Sequence, residues 1–268
     1  MVWVSTIGMV LGPNLGAVGE VLGEAIGLTT YAATFLLAVV LALVAALIVS
    51  AFLRPDPLLV SRELEPESEE VVLSKKRGAI RGIIAEMREN RPARIAVIAI
   101  ILAQSVMVSI MTMTPVHVVN EGGTVTLVGI VISLHVLGMF ALAPVVGMLT
   151  DRYGNRFTIA VGGTILLVSL LLGIFLPDDM GWVTASLVLL GVGWSFVNVS
   201  ASALFTEVIT SGDRASLQGG ADALSNLFGA TATFASGPLM AVTNFSILSL
   251  FGVVLLVPLG FVLLRPIR

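Results

Sequence analysis

The sequence predicts an all-α membrane protein with eight transmembrane helices, and three observations carry that prediction. Hydrophobic residues make up 57% of the 268 residues and charged residues only 12%, too little polar surface to solvate a globular domain. The apolar residues gather into eight runs, each near the length of about 20 residues that a helix needs to cross a bilayer. The fourteen Lys and Arg residues fall on one side of the resulting topology, as the retention of positive charge in the cytoplasm requires.

In chain order, spans are expected at about 2–25, 31–53, 95–118, 126–149, 157–176, 182–209, 217–242 and 245–264. The first carries Gly8-x-x-x-Gly12-Pro13-Asn14-Leu15-Gly16. Small residues at spacing four let a second helix approach closely in lipid, and Pro13 removes an amide donor, so a bend or hinge is expected there. Glu20 and Glu24, toward the outer end of the same span, read as a solvated rim. The short connections GLTT, NEGGT and PDDMG contain no Lys or Arg, which assigns them to the outside and both termini to the cytoplasm.

The long polar stretch 54–94 holds Arg54, Arg62, Lys75, Lys76, Arg77, Arg81, Arg88, Arg91 and Arg94. It reads as a cytoplasmic linker separating a region 1–53 from a region 95–268. Ile80, Ile83, Ile84 and Met87 recur at helical spacing, which predicts a short amphipathic helix. Adhesion to the inner leaflet is the first reading of that helix, and a lever between two bundles is the alternative. The acidic run through Glu63, Glu65, Glu67, Glu69 and Glu70 is expected to be solvated.

Polar side chains at membrane depth face a cavity or a neighbouring helix. Asn14, Gln104, His135, Trp194 and Asn198 fall near the middle of their spans, and Asp222 and Asn226 lie in the cytoplasmic third of the seventh. Asn14, Gln104, His135, Trp194, Asn198 and Asn226 are the candidate cavity lining, with an interhelical hydrogen bond as the competing role for the amides and packing for Trp194. His135 and Asp222 are the candidates for carrying a proton. His117 reads as interfacial. In the seventh span, Ser225, Gly229, Thr233 and Gly237 form a small-residue ridge with Pro238 directly behind it. Gly237-Pro238 thus repeats Gly12-Pro13, each pair one span before a polar end, as two related halves would place them.

The most specific motif follows the fourth span: Gly147-Met148-Leu149-Thr150-Asp151-Arg152-Tyr153-Gly154-Asn155-Arg156. Gly154 suits a tight turn, Asp151 can accept from a helix N-terminus, and Arg152 and Arg156 can hold the inner face. Gly147, Leu149, Asp151, Arg152, Gly154 and Arg156 match the signature loop G-x-L-x-D-R-x-G-R/K-R/K, in its second-half copy, so the chain resembles the major facilitator superfamily. The segment Gly8 to Gly16 is similar to that family's antiporter motif, which ends Gly-Gly where this sequence has Gly16-Ala17. The resemblance implies the fifth to twelfth helices of the fold: the last two helices of a first bundle, the central cytoplasmic loop and a complete second six-helix bundle. It also implies that the first four helices are lacking, with the expectation that the 268-residue chain inserts, self-associates and does not transport as a monomer.

The function expected is secondary active transport of a small molecule by alternating access, leaning to proton-coupled export as in drug/proton antiporters of that family. An importer or uniporter of the same fold and a non-transporting assembly partner are the alternatives. An enzyme is disfavoured, since no H-E-x-x-H or G-x-S-x-G occurs and there is no cysteine. A net charge of −3 gives nucleic acid no electrostatic footing. The partners expected are a small-molecule substrate, the bilayer of the plasma membrane and a proton, with no cofactor or metal.

Overall fold

The computed structural model describes residues 2–54, 60, 79–209 and 214–264. The acidic run Glu63 to Glu70 and the basic residues Arg62, Lys75, Lys76, Arg77, Arg265 and Arg268 lie outside the described residues. Every regular element described is helical.

The first segment is divided. Helix α1 (Val2–Leu11) gives way to a 3-10 turn at Gly12–Asn14, and α2 (Leu15–Ile26) continues from it. Pro13 cannot donate to the helical ladder, and the chain tightens where that donor is missing. Gly27, at φ 72°, ends α2 in the left-handed position that glycine takes without steric cost. Helix α3 (Thr30–Phe52) starts on Thr29, whose hydroxyl accepts from the Ala32 amide at 3.4 Å. It packs on α2, where a Cβ at Gly19 or Gly23 would run into Thr34 or the Leu28 carbonyl. The rest of α3 is open: Phe35, Leu47 and Phe52 are exposed.

The linker helix α4 (Ala79–Glu89) leads into α5 (Arg91–Asn120) through Asn90. The Asn90 carboxamide has three partners: its oxygen accepts from the Ala93 amide at 3.2 Å, and Nδ2 donates to Glu86 Oε1 at 2.8 Å and to the Val208 carbonyl at 3.1 Å. One side chain therefore caps α5 and fastens the junction to the bundle. Ile83 is fully buried in the main apolar core and Met87 packs against that core, whereas Ile80 and Ile84 are exposed. The amphipathic face is thus shared between the bundle and the surroundings, with Gly82 close to Leu217.

Beyond α5 come α6 (Val125–Phe140), α7 (Ala143–Tyr153), α8 (Asn155–Phe175), α9 (Met180–Val208), α10 (Arg214–Val242) and α11 (Phe245–Leu264). Three of the turns between these helices supply their own caps: Thr124 accepts from the Leu127 amide, Asp179 from the Gly181 and Trp182 amides, and Asn244 from the Ile247 amide. Helix α5 is the most buried long helix and packs against α9, α10 and α11. The α8–α9 pair is the most extensive, because glycines let the two backbones meet. A Cβ on Gly162 would lie 2.8 Å from the Val197 amide nitrogen, and one on Gly193 would lie 2.8 Å from that of Leu166. Ser169 and Ser186 lock the same pair, each hydroxyl donating to the other's carbonyl at 2.7 and 2.8 Å. Lipid gives helices no hydrophobic reason to associate, so close packing and such bonds hold the bundle together.

Among the described residues, six helical stretches are long and apolar enough to cross a membrane: Ala32–Phe52, Arg91–Asn120, Val125–Tyr153, Asn155–Phe175, Met180–Val208 and Phe245–Leu263. Two of the eight expected spans differ for physical reasons. The first is cut by its 3-10 turn into pieces of 10 and 12 residues. Helix α10 has 29 residues, enough to span, but Gln218, Asp222, Asn226 and its glycines leave it less apolar than those six. The two Gly-Pro pairs also differ, since α10 runs as one helix through Pro238 whereas Gly12-Pro13 sits in the 3-10 turn.

Candidate functional site

A groove of about 490 Å³ runs between α5 and α10, lined by Gln104, Val108, Asn226, Gly229, Ala230, Thr233 and Phe234. Gly229 makes the two helices fit, since a Cβ there would just touch Gln104 Cγ, at 3.4 Å. Behind the groove, Trp194 of α9 donates from Nε1 to Gln104 Oε1 at 2.9 Å, and Phe140 meets the Trp194 indole edge-on. The indole N–H can only donate, so the bond fixes the orientation of the Gln104 amide and leaves its NH2 on the other side. Asn226 is held in the opposite sense: its Nδ2 donates to the Asp222 carbonyl at 2.9 Å, leaving Oδ1 as a free acceptor. The Thr233 hydroxyl is buried without a partner. Neighbouring hydroxyls instead bond back along their own helices, Thr231 to the Leu227 carbonyl and Thr112 to that of Val108.

Three of the expected lining residues, Gln104, Trp194 and Asn226, therefore come together. Asn198 is half-buried on α9 and does not line the groove. Asp222 stands exposed one helical turn before Asn226, its carboxylate accepting from Gln218 Nε2 at 3.2 Å.

The remaining two lie elsewhere. His135 is completely buried between α6 and α9, with Nδ1 donating to the Leu187 carbonyl at 2.7 Å. It fits there because Gly191 opposite it has no side chain; a Cβ would meet the His135 backbone. The expectation that His135 lines a cavity is corrected: a mid-span histidine has here been used to join two helices. Asn14 joins the first segment to α6, its Nδ2 donating to Ser133 Oγ at 2.7 Å and to the Val10 carbonyl at 3.1 Å, while Ser133 donates to that same carbonyl at 2.8 Å. The 3-10 turn frees the acceptor that both donors use. Among the described residues, Gly8, Gly12, Gly16 and Gly237 face open space, so the close approach expected at those ridge positions is absent, and Gly19 and Gly23 serve that purpose instead.

The 147–156 loop closes one end of the bundle. Gly154, at φ 88°, ends α7 and opens α8 in a single residue. Asn155 donates to Glu207 Oε2 at 2.9 Å near the end of α9, and Arg156 donates to the Leu263 carbonyl at 2.8 Å in the last turn of α11, where a cation complements the helix dipole. Arg152 lies over the Tyr153 ring, 5.4 Å from its centre. Asp151 is exposed in the last turn of α7 and makes no hydrogen bond among the described residues, in place of the helix-capping role expected for it; Gly147 meets no neighbour. His117, expected at an interface, is buried near the other end of α5, bonded to the Pro177 carbonyl at 2.7 Å and stacked on Phe245.

Sequence reasoning missed Phe140, Phe234 and Ser133. The phenylalanines look like any apolar residue of a span, and only the position of Thr233 beside Phe234 in a polar helix could have drawn attention to one of them.

Comparison with known proteins bears on the whole chain. The family model for the Major Facilitator Superfamily matches residues 1–233 and 121–268. The uncharacterised MFS-type transporter YddS of Bacillus subtilis is 35% identical over 258 residues, which is 94% of this chain and 57% of that protein. A second transporter of that type from the same organism, YdeG, is 37% identical over 207 residues, 76% of this chain and 46% of that one. The riboflavin transporter RfnT of Brucella anthropi is 31% identical over 148 residues, 54% of this chain and 36% of that one. The chain spans about half the length of the curated relatives it matches. No solved structure matches. These likenesses place it with membrane transporters rather than enzymes, and its apolar helices with integral membrane proteins. The chain belongs to the major facilitator superfamily.

Proposed function

We propose that this chain, self-associated rather than as a monomer, carries a small molecule across the plasma membrane by alternating access, with the α5–α10 groove as one wall of the substrate path. The observation that carries the reading is that Gln104, Asn226 and Thr233 gather uncharged polar groups, each with unused hydrogen-bonding capacity, in one groove at membrane depth. In this reading the eight-span topology holds, with residues 1–53 and 95–268 as parts of two bundles, 54–94 as the linker between them, and the linker and both termini cytoplasmic. The 147–156 loop, tied to the ends of α9 and α11, gates the inner side. Export in exchange for a proton is the direction we favour, on the Gly8 to Gly16 motif, and Asp222 is the proton carrier because His135 is sealed between helices. RfnT carries riboflavin in its name, which supports an organic solute; import is the second direction.

The test is flux in proteoliposomes across a panel of sugars, organic cations, heterocycles and lipids. Flux of at least one class is expected, with Gln104→Ala and Asn226→Ala lowering it about tenfold, the loss of one hydrogen bond of roughly 1.4 kcal/mol. Undiminished flux in both variants would move the substrate path away from this groove.

A further inference from the structure

The groove does more than mark a path, because its two amides are held in fixed orientations. Gln104 presents its NH2, since the Trp194 bond turns its oxygen toward the indole. Asn226 spends one N–H on the Asp222 carbonyl and presents its free Oδ1 as an acceptor beside the remaining N–H. The Thr233 hydroxyl, buried in the groove wall, has no partner of its own. Phe234, 82% exposed, offers an open ring face beside that hydroxyl. Asn226 and Thr233 are seven residues apart, so the polar points are spread along about 10 Å of α10.

No Lys, Arg, Asp or Glu side chain lines the groove. The carboxylate nearest along α10, Asp222, is set one turn away and already accepts from Gln218. A charged ligand would therefore lie in a low-dielectric site without a counter-ion. A purely apolar ligand would leave the Gln104 NH2 without a partner.

We infer that the groove takes uncharged, flat heterocycles of two or three fused rings that carry an amide-type edge, with a carbonyl toward Gln104, an N–H toward Asn226 and the ring face on Phe234. This rests on the transport reading for its biological sense, but the binding chemistry can be tested apart from it. The two-point edge supplies specificity and the ring face contributes stacking.

The probe is lumichrome, an uncharged three-ring imide, added to the purified full chain in detergent. Two of its three tryptophans are replaced, Trp3→Phe and Trp182→Phe, so that fluorescence reports Trp194 alone. Saturable quenching is expected, with Gln104→Glu and Asn226→Leu each raising Kd at least about tenfold. Gln104→Glu keeps an acceptor for Trp194 but adds a carboxyl group, so Gln104→Met, which keeps the side-chain volume and removes the donor without a charge, is measured beside it and should raise Kd to the same extent. Absence of saturable quenching, or unchanged Kd in Gln104→Met and Asn226→Leu, overturns the inference. Vesicle flux of lumichrome, glucose and tetraphenylphosphonium separates the two levels. Flux of glucose or the cation without lumichrome binding refutes the ligand class and leaves transport standing. Lumichrome binding with no flux of any panel member supports the ligand class and refutes transport.

Discussion

At the scale of single residues, the membrane sharpens the difference between a polar group that binds and one that builds. Gln104 and His135 both sit mid-span, and the sequence cannot separate them. What separates them is the residue opposite: Gly191 lets the histidine ring bury itself against α9, whereas Gly229 sets Gln104 at the edge of an open groove. His135→Leu removes the bond from Nδ1 to the Leu187 carbonyl and should cost about 0.5–1.5 kcal/mol, read as a lower Tm in detergent, with the pH dependence of flux unchanged. An altered pH dependence at unchanged Tm would restore His135 to a coupling role. Asp222→Asn should do the opposite, flattening the response of flux to a proton gradient while leaving Tm in place. The polar residues were therefore legible as candidates from their depth alone, but their partition between cavity and glue depended on glycines contributed by other helices.

At the scale of elements, the connections were the most readable part of the chain, because their chemistry is local. Thr29, Asn90, Thr124, Asp179 and Asn244 cap the helices that follow them, and Gly27 and Gly154 take positive φ where helices end. Gly154→Ala should cost about 1–2 kcal/mol by placing a Cβ in that conformation, and it should slow exchange between conformations if the loop gates. The interiors of the helices were less legible. The ridge at Gly8, Gly12 and Gly16 has the spacing of a packing surface and meets no described neighbour, while the α8–α9 contact at Gly162 and Gly193 is not set out by any regular spacing in the sequence. Gly193→Leu should push α8 and α9 apart, since even a Cβ there would crowd the Leu166 backbone. The expected readout is loss of folded protein on size-exclusion chromatography, and a normal elution profile would refute that packing.

At the scale of the whole molecule, the proposed topology places residue 74 inside and residue 122 outside. The chain has no cysteine, so Ser74→Cys and Gly122→Cys report each side directly. An impermeant thiol reagent should label Gly122→Cys in intact cells and spare Ser74→Cys, and the reverse pattern would invert the molecule. Overall membrane character was plain from composition, whereas the relation of the first segment to the rest was not, because it depends on contacts far apart in the chain. Asn14 and Ser133 are 119 residues apart. At the roughly 5 to 20 residues per second of protein synthesis, on the order of 6 to 24 seconds pass between the emergence of the amide and that of its hydroxyl partner. Through that interval the first segment must wait in the bilayer or the insertion machinery with its amide bonded only to the Val10 carbonyl of the same segment. The bond that later joins it to α6 thus makes its early handling during insertion a step on which assembly of the finished protein depends.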